Sequence, residues 1–159
     1  MKQKFEGDIH TISSRELMKD KDLLDKMLAL VAKVYGKDDA ALFNREIAET
    51  PEAITIYMML GNNLVGLGSI CESHIFSGMY ELFWGMIDEP YRSNGWGKIL
   101  IDSRIEWVQQ HCKGLSSPNS VVVVTRSPWH LTRCGFETVK QLNPEGDVLM
   151  CLLLNKATK

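Results

Sequence analysis

A glycine-containing turn between a strand-like run and a helix-like run is the feature that most restricts how this chain folds. The run from Tyr80 to Ile87 is mostly apolar, an amphipathic run begins near Trp96, and Arg92-Ser93-Asn94-Gly95-Trp96-Gly97 joins them. Glycines let the backbone approach a ligand closely, and the positive end of a helix dipole attracts phosphate to the N–H groups there. The sequence therefore predicts an anion site in this turn.

The spacing excludes two common phosphate-binding motifs. A Walker A loop needs a glycine at position 92 and Ser or Thr after Gly97-Lys98, but Arg92 and Ile99 occupy those places. A dinucleotide fingerprint needs a third glycine three residues after Gly97, where Leu100 stands. The motif that remains is R-x-x-G-x-G.

Length and composition favour one globular domain over residues 1–159. The chain has 159 residues, 45% of them hydrophobic, which suffices for one sizeable core. Its net charge is −2 and its Lys and Arg residues are scattered, so we expect no nucleic-acid partner.

The cysteines and the apolar runs indicate a cytoplasmic protein. Cys71, Cys112, Cys134 and Cys151 are widely spaced and are expected to be reduced, mostly buried thiols that hold no metal. The N-terminus lacks an apolar signal core, and no run approaches the roughly 20 apolar residues that span a bilayer. We therefore expect no membrane partner.

Periodicity and turn residues give an element order of β-α-α-β-β-β-α-β-α-β-β. The first helix is predicted from Ser13 or Ser14 to Gly36, and the second spans Asp38 to Glu49. The predicted strands lie at 5–12, 54–60, 64–76, 80–87, 121–124, 136–142 and 148–154. Helices are predicted from about Trp96 to Lys113-Gly114 and from 127 to 133.

Two segments at compatible spacing resemble a known family. The first is the strand and turn ending in Tyr91-Arg92-Ser93-Asn94-Gly95-Trp96-Gly97, and the second is Cys134-Gly135-Phe136-Glu137 after a short helix. Together they resemble the GCN5-related N-acetyltransferase (GNAT) family. The resemblance implies an α/β (α+β) fold, with a central mixed, mostly antiparallel sheet of six to seven strands flanked by about four helices. It also implies acetyl-CoA as cosubstrate.

The resemblance assigns the cofactor to the turn and to the strand before it. Backbone N–H groups of the turn would hold the pyrophosphate, Lys98 would add charge, and the strand edge would bond the pantetheine arm. Gly85 is expected to mark a bulge in that strand, or to be a packing glycine. The cofactor-binding residues are therefore predicted to be Met86, Ile87, Arg92, Ser93, Asn94, Gly95, Trp96, Gly97 and Lys98.

Glu81 is the predicted general base, because acyl transfer to an amine needs a carboxylate to remove a proton. Two-residue alternation puts it on one face with Phe83, Gly85 and Ile87. The alternative, given equal weight, is that Glu81 is only a solvent-exposed carboxylate at the end of a strand. Glu72 and His74 are weaker candidates for the base.

The family's usual general acid is missing from its expected position. The family tyrosine stands four residues before the glycine of the "-GF-" motif, and here that residue is Leu131. His130 is a weak candidate for the acid, with Ser127, Thr132 and Cys134 as alternatives. A thiolate leaving group can also be protonated by water.

The resemblance implies an N-acetyltransferase that uses direct attack in a ternary complex with an amine acceptor. A non-catalytic acyl-CoA-binding or regulatory module is the alternative, as is use of another acyl-CoA or an O-linked acceptor. The N-terminal helices usually shape the acceptor pocket in this family, so Tyr35, Phe43 and Arg45 are weak candidates to face substrate. Exposed apolar strand ends in the C-terminal hairpin are the basis for predicting a homodimer.

Overall fold

The computed structural model describes residues 4–74, 76–111 and 120–154, and within them it has seven strands and five helices. The first part contains β1 (Asp8–Ser13), α1 (Ser14–Leu17), α2 (Lys21–Val34), α3 (Lys37–Glu49), β2 (Ile54–Leu60) and β3 (Asn63–Glu72). The second part contains β4 (Met79–Ile87), a short 3-10 turn (Glu89–Tyr91), α4 (Trp96–His111), β5 (Ser120–Thr125), α5 (Pro128–Thr132), β6 (Glu137–Gln141) and β7 (Val148–Leu153).

The strands form one sheet in the order β1-β2-β3-β4-β5-β7-β6. β1 pairs antiparallel with β2, β7 pairs antiparallel with both β5 and β6, and β4 pairs parallel with β5. The predicted mixed, mostly antiparallel sheet of six to seven strands is therefore confirmed. The helices number five instead of about four.

The additional helix comes from a break near the N-terminus, where one helix was predicted from Ser13 or Ser14 to Gly36. Ser13 caps α1 in a capping box with Glu16, but α1 ends at Leu17. The Asp20 carboxylate then accepts the backbone N–H of Leu23 and starts α2. That prediction was wrong because a second capping residue follows the first within two turns.

Contacts divide the chain into two compact units. Unit 1 comprises residues 1–69 and 84–100, and unit 2 comprises residues 70–83 and 101–159. The prediction of a single domain stays a prediction.

Unit 1 has an apolar core under α2 and α3. The buried side chains of this core come from α1, α2, α3 and β3, and they include Leu17, Met27, Val31, Phe43, Ile47 and Leu67. Met86 of β4 belongs to the same cluster and is 5% exposed. In unit 2 the buried apolar side chains include Leu82, Val108, Val121, Leu131, Phe136 and Met150. Each unit therefore has its own buried apolar side chains.

The thiols are less buried than predicted. Cys71, Cys134 and Cys151 are free and half-buried, and Cys112 lies outside the described residues. The predicted end of the long helix at Lys113-Gly114 also lies outside them. In the part of the chain that the structure describes, no helix has the length and apolar character needed to cross a membrane.

Candidate functional site

The turn after β4 has the backbone conformation of a ligand-binding loop. Ser93 and Gly95 have left-handed φ values of 67° and 82°. Alternation between left-handed and ordinary residues points successive N–H groups toward a common side, as in anion-binding nests. The glycine at 95 meets this requirement without steric cost, whereas Ser93 is one of two non-glycine residues with positive φ in the described chain.

Five consecutive backbone donors in this loop have no acceptor among the described residues. Within residues 4–74, 76–111 and 120–154, none of the N–H groups of residues 93–97 donates to a protein atom. The Ile99 N–H of α4 donates to the Gly95 carbonyl, at 3.4 Å. These donors stand at the positive end of α4, a helix of 16 residues. Their positive potential favours an anionic oxygen group.

The space around the loop glycines is open. A Cβ built on Gly95 meets no atom within 4 Å, and one built on Gly97 meets only Ile87 Cγ1, at 3.9 Å. A pyrophosphate group can therefore approach the donors, and the residues present fit such a group. The same fit holds for any ligand with a terminal or bridging phosphate, so the loop alone does not select coenzyme A.

Two side chains of the loop hold its shape. Arg92 Nε donates to the Ile87 carbonyl at 2.9 Å, which ties the start of the loop to the end of β4. Asn94 Nδ2 donates to the Tyr91 carbonyl at 3.5 Å. The sequence predicted a cofactor contact for both residues, and the structure adds this positioning role. Lys98 is exposed in the first turn of α4.

Trp96 is buried between two aromatic rings. It is 7% exposed, stacks on Tyr91 at a centroid distance of 5.7 Å and makes a T-shaped contact with Phe5 at 4.9 Å. Its indole N–H is buried and has no acceptor among the described residues. The ring fixes the beginning of α4 and leaves one further donor in the loop unused.

Gly66 of β3 lets the end of β4 approach closely. A Cβ at this position would lie 2.6 Å from Ile87 Cδ1 and 3.0 Å from the Met86 carbonyl oxygen. Beyond Ile87, the Asp88 N–H donates to the Val65 carbonyl at 2.8 Å, and Lys33 pairs with the Asp88 carboxylate at 2.7 Å. The sequence signal for Gly66 was a glycine within an apolar strand, which often marks close approach of another backbone.

β4 has an irregular residue at its centre. Trp84 has φ of 53°, a conformation that is rare for a bulky residue. The irregularity predicted at Gly85 therefore falls one residue earlier. Met86 and Ile87, adjacent in the strand, are both buried. The shared face predicted for Glu81, Phe83, Gly85 and Ile87 stays a prediction.

The ladder between β4 and β5 covers only the first half of β4. Met79–Leu82 pair with Ser120–Val123, and the next carbonyl, that of Phe83, accepts from Arg104 at 3.5 Å. Arg104 is 5% exposed, and sequence reasoning missed it. Its position midway between the buried Leu100 and Val108, four residues from each, was the available signal. Met86 and Ile87 lie outside this ladder, in keeping with the strand edge predicted for the pantetheine arm.

Glu81 lies in unit 2, within the ladder and opposite Val122. It is exposed, as a carboxylate accessible to an acceptor must be, and the same exposure fits a solvated strand position. Glu72 instead accepts the Gly78 N–H at 3.2 Å and so supports the turn before β4. Glu81 remains a prediction for the base.

His130, also in unit 2, is poorly suited to donate a proton at neutral pH. Burial first, and then the charge of Arg133, lower the pKa of His130, so less of the imidazole is protonated. Leu131 is 6% exposed and packs inward. Gly135 of the "-GF-" segment has φ of 91° and follows α5, while Phe136 is buried. The described residues of α5 therefore provide a packing element and no strong acid.

Comparison with known proteins gives matches in structure alone. No protein-family model and no curated protein matches the sequence. An acyl-CoA N-acyltransferase from Pseudomonas aeruginosa matches with TM-score 0.73 and 13% identity, covering 91% of this chain and 98% of that one. An aminoglycoside 6'-acetyltransferase type Ii matches with TM-score 0.74 and 17% identity, covering 92% and 96%.

A third match carries a ligand. An aminoglycoside 6'-N-acetyltransferase complexed with coenzyme A matches with TM-score 0.72 and 15% identity, covering 92% of this chain and 96% of that one. These likenesses show that the chain has the GNAT fold, as the two sequence segments predicted.

Proposed function

We propose that this protein transfers an acetyl group from acetyl-CoA to a primary amine, by direct attack in a ternary complex. The observation that carries the proposal is the run of five N–H groups at residues 93–97, at the start of α4, that have no acceptor in the part of the chain that the structure describes. The GNAT fold and the coenzyme A complex of one structural neighbour support it.

The proposed roles follow from position on β4 and its loop. The loop N–H groups bind the pyrophosphate, while Arg92 and Trp96 hold the loop in place. Backbone groups of Met86 and Ile87 orient the pantetheine arm and the thioester carbonyl, where N–H donors stabilise developing negative charge. Bound acetyl-CoA supplies an activated acyl group and a thiolate leaving group.

Glu81 is the proposed general base, acting directly or through water on the acceptor's ammonium proton. A neutral amine is required because a protonated nitrogen has no lone pair for attack. The thiolate is proposed to take its proton from water. Water is the preferred proton donor because the buried Leu131 side chain carries no proton to donate, and because the lowered pKa of His130 leaves less of its imidazole protonated.

A non-catalytic acyl-CoA-binding module is the second candidate function. Leu131 favours it, because the position of the family's usual acid is occupied by a buried apolar side chain. Such a module would bind acetyl-CoA at the same loop without turning it over.

Thiol release distinguishes the two functions. Acetyl-CoA is incubated with the protein and a panel of primary amines and lysine peptides, and free thiol is followed with time. Amine-dependent release that falls by about 10²- to 10⁴-fold in Glu81→Gln supports the proposed base. The matched control is Glu106→Gln, an exposed carboxylate on α4, which should keep full activity. Acetyl-CoA binding without release for any amine favours the module.

A further inference from the structure

The irregular residue of β4 is clamped by α3. Trp84 Nε1 donates to Glu46 Oε2, and the Trp84 ring meets the fully buried Phe43 edge-on, with centroids 5.6 Å apart. A bulky side chain in the left-handed region persists only where its surroundings hold it, and such residues concentrate at functional sites. The strained Trp84 therefore marks the surroundings of its indole as a candidate ligand site.

An exposed tyrosine completes an aromatic surface beside Trp84. The Tyr35 hydroxyl donates to the Gly85 carbonyl at 3.4 Å, and its ring lies 6.2 Å from that of Trp84. Tyr35 is nevertheless 52% exposed, and Gly85 is exposed within the strand. We call Tyr35, Phe43, Glu46, Trp84 and Gly85 the Glu46 cluster. All of its members lie in unit 1.

Glu46 has one oxygen anchored and one open. Oε2 accepts the indole N–H, whereas Oε1 accepts no bond from any described residue and is not enclosed. Lys33, a cation on α2, is paired with Asp88. A carboxylate held against the Trp84 indole, with the exposed Tyr35 ring on the same tryptophan, is a favourable environment for an ammonium ion, through charge attraction and the ring quadrupoles.

We propose that the Glu46 cluster binds a cationic amino group of the acceptor, and that this group is not the one acetylated. A carboxylate stabilises the protonated form of an amine beside it, so the nitrogen held there stays an ammonium and cannot attack. The acceptor must then carry a second amine that reaches the thioester while neutral. The inference rests on the proposed function and narrows its acceptor to diamines and larger polyamines.

The location on β4 is consistent with this role. The loop follows Ile87, so an arm that leaves the loop and runs back along β4 passes Met86 and reaches Gly85 and Trp84. The acyl end of such an arm is thereby brought toward the Glu46 cluster. An acceptor anchored there needs only a short spacer between its two amines.

Binding is tested first, by a readout independent of turnover. In ¹⁵N-labelled protein the Trp84 indole resonance is assigned by its loss in Trp84→Phe. Diamines from 1,3-diaminopropane to 1,8-diaminooctane and 1-aminobutane are expected to shift it saturably, while 1-butanol is not. Glu46→Gln should weaken diamine binding about tenfold, equivalent to about 1.4 kcal/mol. The control Glu49→Gln, an exposed residue at the end of the same helix, should leave it unchanged.

Acetylation is tested next on the same preparations. We expect a diamine to be acetylated while 1-aminobutane is not, and Glu46→Gln to raise KM about tenfold with a much smaller change in kcat. The inference is overturned if no diamine shifts the indole, if Glu46→Gln leaves the diamine affinity unchanged, or if 1-aminobutane reacts as fast as the best diamine. It is also overturned if coenzyme A binds but no diamine is acetylated. Failure to bind coenzyme A would instead overturn the proposed function.

Discussion

Replacing Gly97 with alanine should stabilise the fold and impair ligand binding at the same time. Gly97 is the second residue of α4, its φ is outside the left-handed region, and an added Cβ makes only one ordinary contact, with Ile87 Cγ1 at 3.9 Å. Alanine is favoured over glycine within a helix by roughly 0.5–1 kcal/mol. Because the site is in the first turn, we expect a gain of about 0.5 kcal/mol, the lower end of that range.

Gly95→Ala is the matched variant, with the opposite expected effect on stability. Its Cβ also enters open space, but the φ of 82° forces alanine into the left-handed region. That conformation costs roughly 1–2 kcal/mol, partly offset by the reduced entropy of the unfolded chain, so we expect a net loss of about 1 kcal/mol. Both methyl groups enter the space in which a pyrophosphate must approach the loop.

Urea unfolding and calorimetric titration with coenzyme A measure the two effects. We expect the free energies of unfolding of the two variants to differ by about 1.5 kcal/mol, and both variants to bind coenzyme A at least about tenfold more weakly. Unchanged coenzyme A affinity in both variants would refute the assignment of this open space to the ligand. Destabilisation by Gly97→Ala would refute the free space described around Gly97.

Two further predictions concern stability. Gly66→Ala should lower the free energy of unfolding by about 1–3 kcal/mol in urea titration, because its Cβ would lie 2.6 Å from the buried Ile87 Cδ1 and 3.0 Å from the Met86 carbonyl oxygen, a backbone atom that cannot rotate away; a neutral effect would contradict the close approach of β3 and β4. Hydrogen bonds from Arg126 and then Asn143 lower the pKa of Asp147, so its stabilising contribution is present at neutral pH and is lost as the pH falls through the lowered value. Arg126→Gln should therefore make the urea midpoint less sensitive to acid below about pH 4, and an unchanged profile would count against this pair.

Much of the fold follows from local sequence signals. Gly61-Asn62-Asn63 ends a strand predicted at Ile54–Leu60, and β2 has those bounds. The β-branched run Val121–Val124 lies within β5. These elements were predictable because turn residues bound a short apolar run whose length suits only a strand.

The features that shape the site depend on tertiary contacts, which a local pattern does not contain. Trp84, and not Gly85, takes the left-handed conformation, because Glu46 and Phe43 hold its indole from a helix some 40 residues earlier. The contacts with Glu46 and Phe43 therefore determine that Trp84 is the strained residue, whereas the sequence pattern predicts the irregularity at the neighbouring Gly85. The buried Arg104 was missed for a similar reason, since its hydrogen bond to the Phe83 carbonyl joins two elements.

The loop itself was predicted from the sequence because its requirements are local. Gly95 takes the positive φ expected of a glycine in a turn, and the unbonded donors follow from the start of α4 directly after it. The choice of ligand depends on the space around these donors, which the motif alone does not define. Coenzyme A was predicted as the ligand from the family resemblance and not from the motif.

Whether the loop binds coenzyme A is measured by calorimetric titration with acetyl-CoA, coenzyme A and ATP. Gly95→Glu is the control, because its side chain places a negative charge in the open space at the loop. We expect acetyl-CoA and coenzyme A to bind and ATP, which lacks the pantetheine arm proposed to lie along Met86 and Ile87, not to bind, and we expect binding to be lost in Gly95→Glu. No binding of acetyl-CoA or coenzyme A, or equal binding by the variant, would contradict the proposed coenzyme A site and leave the loop as a turn between β4 and α4.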